Sequence, residues 1–388
     1  MKEKEKVTDY WFTIEPYVFI GLTNQYTLLY NTLDGITIES DKIEVIELVH
    51  EAIQKENYGV ILLTEQRYRN NNINAFLREL REKFMGDIID VALSKRKPIQ
   101  LLPFFNFSDT DKFNVYKKHS FSSYRNMLKN LFELNIHLDF TTNVSKLISF
   151  LTSIPGSTTI NIIGNIGEVA NYSEMLSYFN QHPSVKNILC SYRHLIALQP
   201  AFENNFSYRV SIDFPIEEQQ WNRSSQILRS QALPVEYVFE VSSFENCQQT
   251  EQLVEKYRIE KYRLNPVYTG ENIRFFEENV FLSKEDILST VMTIKDFFFR
   301  QAINLYDFGK INILPTGDAY ANLIHPVLGN IYTDNIHEIV SKEMDEGKSW
   351  FNIRNQAPCN ECVYQWLCPS PSDYEIIIGR PNLCHIKQ

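Results

Sequence analysis

The residues in this sequence that can do chemistry are concentrated near its end, where four of the six cysteines fall within the last thirty positions. They are Cys359, Cys362, Cys368 and Cys384, spaced Cys-x2-Cys-x5-Cys-x15-Cys. Two intervening residues let the chain curl back, so the first pair can bind one metal centre. Four thiolates form a complete ligand set for a [4Fe–4S] cluster or a tetrahedral Zn²⁺ ion. We therefore predict one four-thiolate metal site, with an iron–sulfur cluster as the first expectation and zinc as the alternative that spacing leaves open.

Composition limits the classes of function. The chain has 388 residues, of which 44% are hydrophobic, and a formal net charge of −10. This acidity, without a concentrated basic face, argues against nucleic-acid binding. No apolar run approaches the roughly 18 residues of a membrane span, and the N-terminal MKEKEKVTDYW lacks the apolar core of a signal peptide. We expect a cytoplasmic protein with neither nucleic-acid nor membrane partners, where reducing conditions favour metal ligation over disulfides.

Three regions must position these cysteines. In the first, residues 1–95, Asp34-Gly35 lies between two apolar-rich segments and predicts a hairpin. A helix capped by Asp41, a short strand and a helix capped by Asn72 follow. The predicted elements are the strands Tyr26–Asn31 and Ile36–Glu39, the helix from Ile43, the strand Val60–Leu63 and the helix Ile73–Phe84. A hairpin beside helices fits a winged-helix-like module.

The second region, residues 96–305, alternates predicted strands and helices. The strands are Ile99–Phe105, Ile136–Thr141, Thr159–Ile163, Val185–Cys190, Tyr208–Phe214, Val235–Val241 and Tyr262–Leu264. Such alternation predicts βαβ units in a mostly parallel sheet, which makes this an α/β protein with a partial or full TIM-like (β/α) barrel. A long helix, Lys284–Ile303, is predicted to end the region. Residues 306–388 then contain a hairpin around Pro315-Thr316-Gly317, a helix over Ile336–Met344 and the cysteine segment.

A family resemblance adds to this pattern at the C-terminus. The segments GDAYANLIHPVLGNIYTDNIHEIV and CNECVYQWLCPSPSDYEIIIGRPNLC resemble the SPASM domain of radical S-adenosylmethionine (radical SAM) peptide maturases. That domain usually carries two auxiliary [4Fe–4S] clusters, and the four C-terminal cysteines correspond to the ligands of the second. Asn322 and Ser372 stand where the first cluster has cysteines, and residues 302–308 offer no upstream cysteine. The resemblance therefore implies a SPASM-like domain with one auxiliary cluster.

The catalytic motif of radical SAM enzymes is absent from this sequence. Those enzymes hold their catalytic cluster by Cys-x3-Cys-x2-Cys after the first barrel strand, whereas the predicted strand Ile99–Phe105 is followed by NFSDTDKF. Asp139-Phe140-Thr141-Thr142-Asn143 stands in place of the family's Gly-Gly-Glu. The chain resembles the pseudo-radical-SAM/SPASM proteins encoded beside ribosomal peptide natural-product (RiPP) systems of Bacteroidales, whose precursors are GG-type peptides. The resemblance implies that SAM cleavage is lost and assigns no catalytic residue.

The order of elements in residues 10–95 resembles a RiPP recognition element, a module that binds a precursor's leader peptide as an additional strand. Backbone hydrogen bonds at a sheet edge then give affinity, and alternating pockets give selectivity. The implied peptide-binding residues lie on the predicted hairpin: Tyr26, Leu28, Tyr30, Ile36 and Ile38. The implied partners are a precursor leader peptide and a true radical SAM maturase. An ordinary winged-helix packing domain is the alternative.

Other functions stay open at this stage. The chain is alternatively a SAM-independent enzyme, an electron carrier that uses the single cluster, or a zinc-stapled scaffold. Barrel enzymes place catalytic groups at strand ends, where His137, Asp139 and Asp213 fall, but strand residues are more often structural. The remaining candidates are predicted to have structural roles. Gly164–Gly167 is predicted to be a turn rather than a phosphate-binding loop. His385 is predicted to be an exposed terminal residue rather than a hydrogen-bond donor to the cluster, and Cys190 and Cys247 to be small buried hydrophobic residues.

Overall fold

The computed structural model describes residues 8–94, 96–99, 127–198, 205–231 and 234–386. The strands, in chain order, are β1 Tyr10–Ile14, β2 Val18–Leu22, β3 Thr27–Asn31, β4 Thr37–Ser40, β5 Val60–Leu63, β6 Gly86–Asp90, β7 Glu133–Leu138, β8 Thr159–Gly164, β9 Lys186–Ser191, β10 Ser207–Ile212, β11 Val235–Val241, β12 Tyr262–Pro266, β13 Lys310–Ile313, β14 Asp318–Tyr320 and β15 Gly329–Asn330. Strand Ile99–Phe105 and the segment NFSDTDKF, both predicted from sequence, lie outside the described residues apart from Ile99.

The helices are interspersed with these strands. In chain order they are α1 Ile43–Ala52, α2 Glu65–Tyr68, α3 Asn71–Glu82, α4 Val144–Leu151, α5 Tyr172–Gln181, α6 Leu195–Leu198, α7 Glu218–Gln231, α8 Phe244–Tyr257, α9 Ile273–Asn279, α10 Lys284–Leu288, α11 Ile294–Ala302, α12 Ile336–Glu346 and α13 Asp373–Ile378. Across the described ranges, every helix is too short or too polar to cross a bilayer.

The N-terminal region contains two small antiparallel sheets. One has the order β5-β1-β6 and the other β2-β3-β4. The predicted hairpin is confirmed as β3 and β4, which pair from Thr27↔Ser40 to Tyr30↔Thr37. The sequence reasoning missed β1, β2 and β6, so the region is more strand-rich than a simple hairpin-plus-helix module. A separate buried core runs from Phe12 to Met85 and joins both sheets to α1 and α3.

Two helix caps in this region differ from the prediction. The α3 cap is Asn70 rather than Asn72, because the Asn70 side chain accepts hydrogen bonds from the backbone N–H groups of Asn72 (2.9 Å) and Ile73 (3.2 Å). The residue before α1 is Lys42, with no side-chain cap, so the expected capping role of Asp41 was wrong. Asp41 instead forms an exposed ion pair with Lys42.

The larger part of the chain is built on a nine-stranded, mostly parallel sheet. Its order is β12-β11-β10-β9-β8-β7-β13-β14-β15, so the strands from β7 to β12 follow chain order and run parallel. The mixed α/β class with a largely parallel sheet is therefore confirmed. Strand β13 pairs parallel with β7, which joins residues beyond 306 to the same sheet. The hairpin of β13 and β14 around residues 314–317 is also confirmed.

The two faces of this sheet differ in polarity because alternate residues of a strand point to opposite sides. One face is apolar and packs against helices in the main core; Trp221 of α7, for example, contacts Tyr237 of β11 at 5.9 Å between ring centroids. The other face carries a row of asparagines at matched register: Asn312, Asn135, Asn161 and Asn187. Each amide bonds to the next, at 3.0, 2.7 and 2.7 Å.

The predicted long helix Lys284–Ile303 is wrong as a single element. It is divided into α10 and α11 by residues 289–293. The physical reason is a second helix start, since Thr293 and Asp296 form a capping box in which each side chain bonds to the other's backbone N–H. A first capping box, formed by Ser283 and Asp286, starts α10.

Candidate metal centre

The four C-terminal cysteines, called the cysteine site below, are positioned by short turns and one strand-like contact. A 3-10 turn over Cys359–Glu361 brings the Cys362 N–H to the Cys359 carbonyl at 3.1 Å. The Cys368 N–H donates to the Tyr364 carbonyl at 2.9 Å. Cys384 lies 25 residues after Cys359 in the sequence. An isolated β-bridge between Leu282 and Cys384 fixes it beside the start of α10. Tertiary contact therefore completes the site.

All four cysteines line one small cavity of about 20 Å³ with Leu282, Leu383 and Ile386. All four are free thiols rather than disulfides. Within the described ranges no three His, Cys, Asp or Glu side chains are arranged as ligands of a single ion. Four cysteine sulfurs around one cavity are nevertheless a suitable ligand set for a metal group that binds thiolates. One side-chain N–H group also points at a sulfur, since Asn382 Nδ2 lies 3.4 Å from Cys384 Sγ. Hydrogen bonds to the sulfurs are among the features that set the reduction potential of iron–sulfur clusters.

A buried arginine lies beside the cysteine site. Arg354 is 8% exposed, and its Nη1 lies 3.6 Å from Cys359 Sγ. Its Nη2 donates to Glu375 Oε1 at 2.7 Å. Burial disfavours the charged guanidinium, but Glu375 and the thiols outweigh that effect and hold the pKa of Arg354 above its ordinary value. Arg300 donates to the carbonyl of Leu367, beside Cys368. Thiolates formed on metal binding would face this positive charge.

Burial also sets the protonation of the free thiols. Desolvation raises the pKa of Cys368 to about 12, although Arg354 acts in the opposite direction. The pKa of Cys359 is raised for the same reason. Without a bound cation these two groups are therefore neutral thiols at pH 7, and a metal that binds must displace their protons.

The N-terminal sheet packs directly against the loop that holds the cysteine site. Phe19 of β2 stacks on Phe297 of α11 with ring centroids 3.9 Å apart, and Tyr30 meets the same ring edge-on at 5.6 Å. These rings share a buried cluster with Val363, Tyr364 and Leu367, the residues between the cysteines. At Gly21 the two backbones approach so closely that a Cβ would overlap the Val363 carbonyl oxygen.

A polar contact accompanies this apolar packing. Glu39 of β4 accepts hydrogen bonds from Lys284 Nζ and from the Tyr26 hydroxyl, each at 2.7 Å. Burial opposes ionisation of Glu39, but these bonds and one from Tyr364 outweigh it and lower the pKa of the carboxyl. Burial, together with Glu39, raises the pKa of Tyr364. The edge strand β4 is thereby connected to the residue that lies between Cys362 and Cys368.

This packing changes the interpretation of the predicted peptide-binding side chains. Leu28, Tyr30 and Ile38 are 0%, 0% and 1% exposed, so they belong to the protein's cores and cannot present side chains to a peptide. Tyr26 is partly buried and bonded to Glu39. Ile36 is 42% exposed and is the one predicted side chain of this group that lies open at the surface.

The strand-end candidates have structural partners in most cases. Asp139 Oδ1 accepts from the Thr141 N–H at 2.7 Å, which makes a turn. Asp213 pairs with Arg193. His137 lies on the asparagine face, its pKa is lowered by burial, and its Nε2 is buried without a hydrogen-bond partner. No hydrogen bond joins any two of these three described residues, so they do not form an acid–base pair.

The remaining candidates have the structural surroundings that the sequence analysis predicted for them. Gly164 ends β8 and leads into a single 3-10 turn over Ile166–Glu168 rather than a helix. His385 is exposed, and its Nε2 contacts the Glu277 carbonyl at 2.9 Å. Cys190 is 3% exposed and lies in the main core. Cys247 is partly buried and packs against that core.

Sequence reasoning missed two features, Arg354 and the asparagine row. The row had a visible signal, since each of these asparagines is followed by isoleucine in four separate strands. Comparison with protein-family models, with curated proteins and with solved structures finds no match to this chain.

Proposed function

We propose that this protein is a non-catalytic accessory factor in the maturation of ribosomal peptides. It binds the leader of a precursor peptide on its N-terminal sheet and docks onto a radical SAM maturase, while one four-thiolate metal group in a SPASM-like C-terminal part staples the fold. One observation carries this proposal. The sheet β2-β3-β4 and the cysteine loop share a single buried cluster, so the cysteine segment supports the sheet from one side.

The peptide site proposed is the outer edge of β4. Asn31 donates to the Ile36 carbonyl, and pairing alternates from there, so Thr37 and Glu39 direct their backbone groups away from β3. The Thr37 carbonyl accepts from Lys83 Nζ at 2.9 Å, a contact that an incoming strand would displace. Ile36, just before β4, and Ile43, the first residue of α1, are 42% and 55% exposed. A strand added here gains backbone hydrogen bonds and covers this apolar surface.

The proposed metal group is a [4Fe–4S] cluster, with zinc as the alternative. Cys359, Cys362, Cys368 and Cys384 would hold it, and four protein ligands leave no open position for substrate. Its role would be to fix the loop between Cys359 and Cys368 against the N-terminal sheet. The (β/α) part would be a radical-SAM-like barrel without its catalytic cluster, supported by the chain-order arrangement of β7 to β12.

Electron transfer is a second candidate. Cys362, Cys368 and Cys384 are each partly exposed, so a cluster at this site would lie near the surface and within reach of a protein partner. Exposure and hydrogen bonds to sulfur tune the potential of such clusters. A reduction potential outside the range of cellular donors would exclude this role.

The metal proposal is tested by metal and sulfide analysis of anaerobically purified protein. Roughly four irons and four sulfides per chain are expected for one [4Fe–4S] cluster. One zinc ion without sulfide would replace the cluster by a structural staple. Purified protein that contains neither iron nor zinc would refute the proposed metal site.

The peptide proposal is tested by titrating precursor leader peptide into the full-length protein. Thr37→Pro removes one outward N–H group while leaving the β3–β4 hydrogen bonds intact, because Thr37 faces away from β3. We expect about a tenfold loss of affinity, the worth of one backbone hydrogen bond and its geometry. Thr37→Val keeps the N–H and is the matched control. Unmodified protein that binds neither the leader peptide nor the maturase would end the proposal.

A further inference from the structure

A cavity of about 630 Å³ lies between the sheet and the C-terminal segment, next to the cysteine site. Asn265 at the end of β12 and Lys310 at the start of β13 border it, and residues 369–377 form much of the opposite wall. This volume is in the range of about 300–1,000 Å³ that small-molecule sites occupy. The cavity is therefore large enough for a ligand with several heavy atoms.

Aromatic and aliphatic side chains form most of its wall. Tyr268, Tyr306 and Tyr374 line it together with valine, leucine and isoleucine residues. Tyr268 and Tyr374 are held by edge contacts to the buried ring of Phe276, at 5.3 and 5.1 Å between centroids. The Tyr374 hydroxyl also donates to the Pro266 carbonyl at 2.6 Å. Fixed tyrosine rings suit an apolar stem and a neighbouring positive charge.

The polar part of the wall includes two neighbouring carboxyl groups, Asp307 and Asp373. Both accept from one amide: Asn322 Nδ2 lies 3.2 and 3.1 Å from the Asp307 oxygens and 2.6 Å from Asp373 Oδ1. Asn322 is 4% exposed and so holds the pair from behind. Two carboxylates held close together attract a cation.

The other charged groups of the cavity leave these carboxyls unbalanced. Arg354 is already bonded to Glu375, so that pair contributes little net charge. Lys310 is the remaining cation on the wall, and its Nζ lies 4.0 Å from Glu133 on the neighbouring strand. Two carboxyls therefore face one lysine that has another partner.

We propose that this cavity binds a monovalent organic cation, an ammonium or guanidinium group on an apolar stem, with the charge at Asp307 and Asp373 and the stem against the tyrosines. Such a cation can be a free small amine or a basic side chain of a peptide, since the chemistry of recognition is the same. The site does not involve the leader-peptide edge on β4, and it borders the cysteine site, with which it shares Leu282, Leu383 and Arg354.

Binding is expected to depend on pH. Burial is the largest influence on the pKa of Asp307 and raises it, as do the charges of Asp373 and Glu343. The Asn322 hydrogen bond and the charge of Lys310 lower it, but the net result is a pKa raised to about 6. A bound cation favours the ionised form, so affinity should rise as pH increases through about 6. Between pH 7.5 and pH 5 we expect about a tenfold loss of affinity, the factor by which the ionised fraction falls.

The test uses the full-length protein and calorimetric titration with n-butylamine, 1-butanol and butyrate at pH 7.5. The amine is expected to bind at least about tenfold more tightly than the alcohol, as a charge-assisted hydrogen bond predicts, and butyrate should bind weakest. An acetylated and amidated Gly-Lys-Gly peptide, compared with its glutamine counterpart, distinguishes a peptide side chain from a free amine as the natural occupant.

Two variants locate the binding. Asp307→Asn should lose about tenfold in amine affinity and lose the pH dependence, whereas Asp345→Asn, which changes an exposed carboxyl on α12, should leave both unchanged. Equal binding of amine and alcohol, or no binding of either the amine or the lysine peptide, would overturn the proposal. That comparison uses the unmodified protein and therefore needs no variant to fold.

Discussion

Replacing Glu375 with glutamine removes the carboxylate that balances Arg354 beside the cysteine site. The two residues are 6% and 8% exposed, and their charged atoms are 2.7 Å apart. Removing one partner of a buried ion pair typically costs about 3–5 kcal/mol, because the other charge is left without compensation. Glu375 Oε2 also accepts from the Ser372 N–H at 3.1 Å, which adds to the loss. In metal-free protein we expect a destabilisation of this size.

The loss should be smaller when the metal group is bound. Arg354 Nη1 is 3.6 Å from Cys359 Sγ, so thiolates formed on metal binding supply a second negative partner for the guanidinium. Removing Glu375 also removes a negative charge that opposes thiolate formation. We expect the destabilisation of metal-loaded protein to be smaller by at least about 1.4 kcal/mol, which is equivalent to about tenfold tighter metal binding by the variant.

The assay is denaturant-induced unfolding, followed by circular dichroism, for metal-free and metal-loaded samples of both proteins. Glu361→Gln is the matched control, because Glu361 is an exposed carboxyl between Cys359 and Cys362 and the substitution makes the same change of charge. It should alter stability by less than about 0.5 kcal/mol. Equal losses with and without metal, or a larger loss with metal, would refute the idea that Arg354 compensates the thiolates.

Three further predictions follow from the packing and burial of single residues. Phe297→Ala should destabilise the protein by about 3–5 kcal/mol and make the N-terminal sheet more sensitive to limited proteolysis, since Phe297 is 0% exposed and stacked on Phe19; Phe299→Ala, at a ring 46% exposed, should do neither. Gly21→Ala should weaken the same contact, because its Cβ would overlap the Val363 carbonyl, and unchanged proteolysis would contradict this. Asp307→Asn should stabilise the protein by about 1–2 kcal/mol at pH 7.5 but not at pH 3.5. The pKa of Asp307 is raised to about 6 in the folded protein, so its ionisation at pH 7.5 costs more in the folded than in the unfolded state, whereas at pH 3.5 the carboxyl is protonated in the folded protein. Thermal unfolding at both pH values measures the effect.

Local sequence signals determined much of the secondary structure. Asp34-Gly35 between two apolar segments was enough to place the β3–β4 hairpin, and the periodic apolar residues placed β5 and β11 at their observed bounds. Alternation of strands and helices was enough for a largely parallel sheet. These features depend on turn conformation and on the side-chain period of a strand or helix, which are properties of neighbouring residues.

Boundaries that depend on competing local signals were less accurate. Thr293 and Asp296 form a capping box inside a segment whose apolar spacing predicts one continuous helix, and the cap prevails. Asn70 and Asn72 are both acceptable caps by type, and only the backbone conformation selects Asn70. A pattern of residue types does not rank such alternatives.

The sequence by itself determined that four cysteines are available as a ligand set near the C-terminus. The tertiary structure adds how Cys384 reaches the other three, through the contact of Leu383 and His385 with Leu282, and it alone decided that Arg354 lies beside Cys359. It also decided that Leu28, Tyr30 and Ile38 are core residues, which is why the proposed peptide surface is the backbone edge of β4 rather than these side chains. The physical reason is that burial and charge pairing arise between segments distant in sequence, and residue type alone does not specify which segments meet.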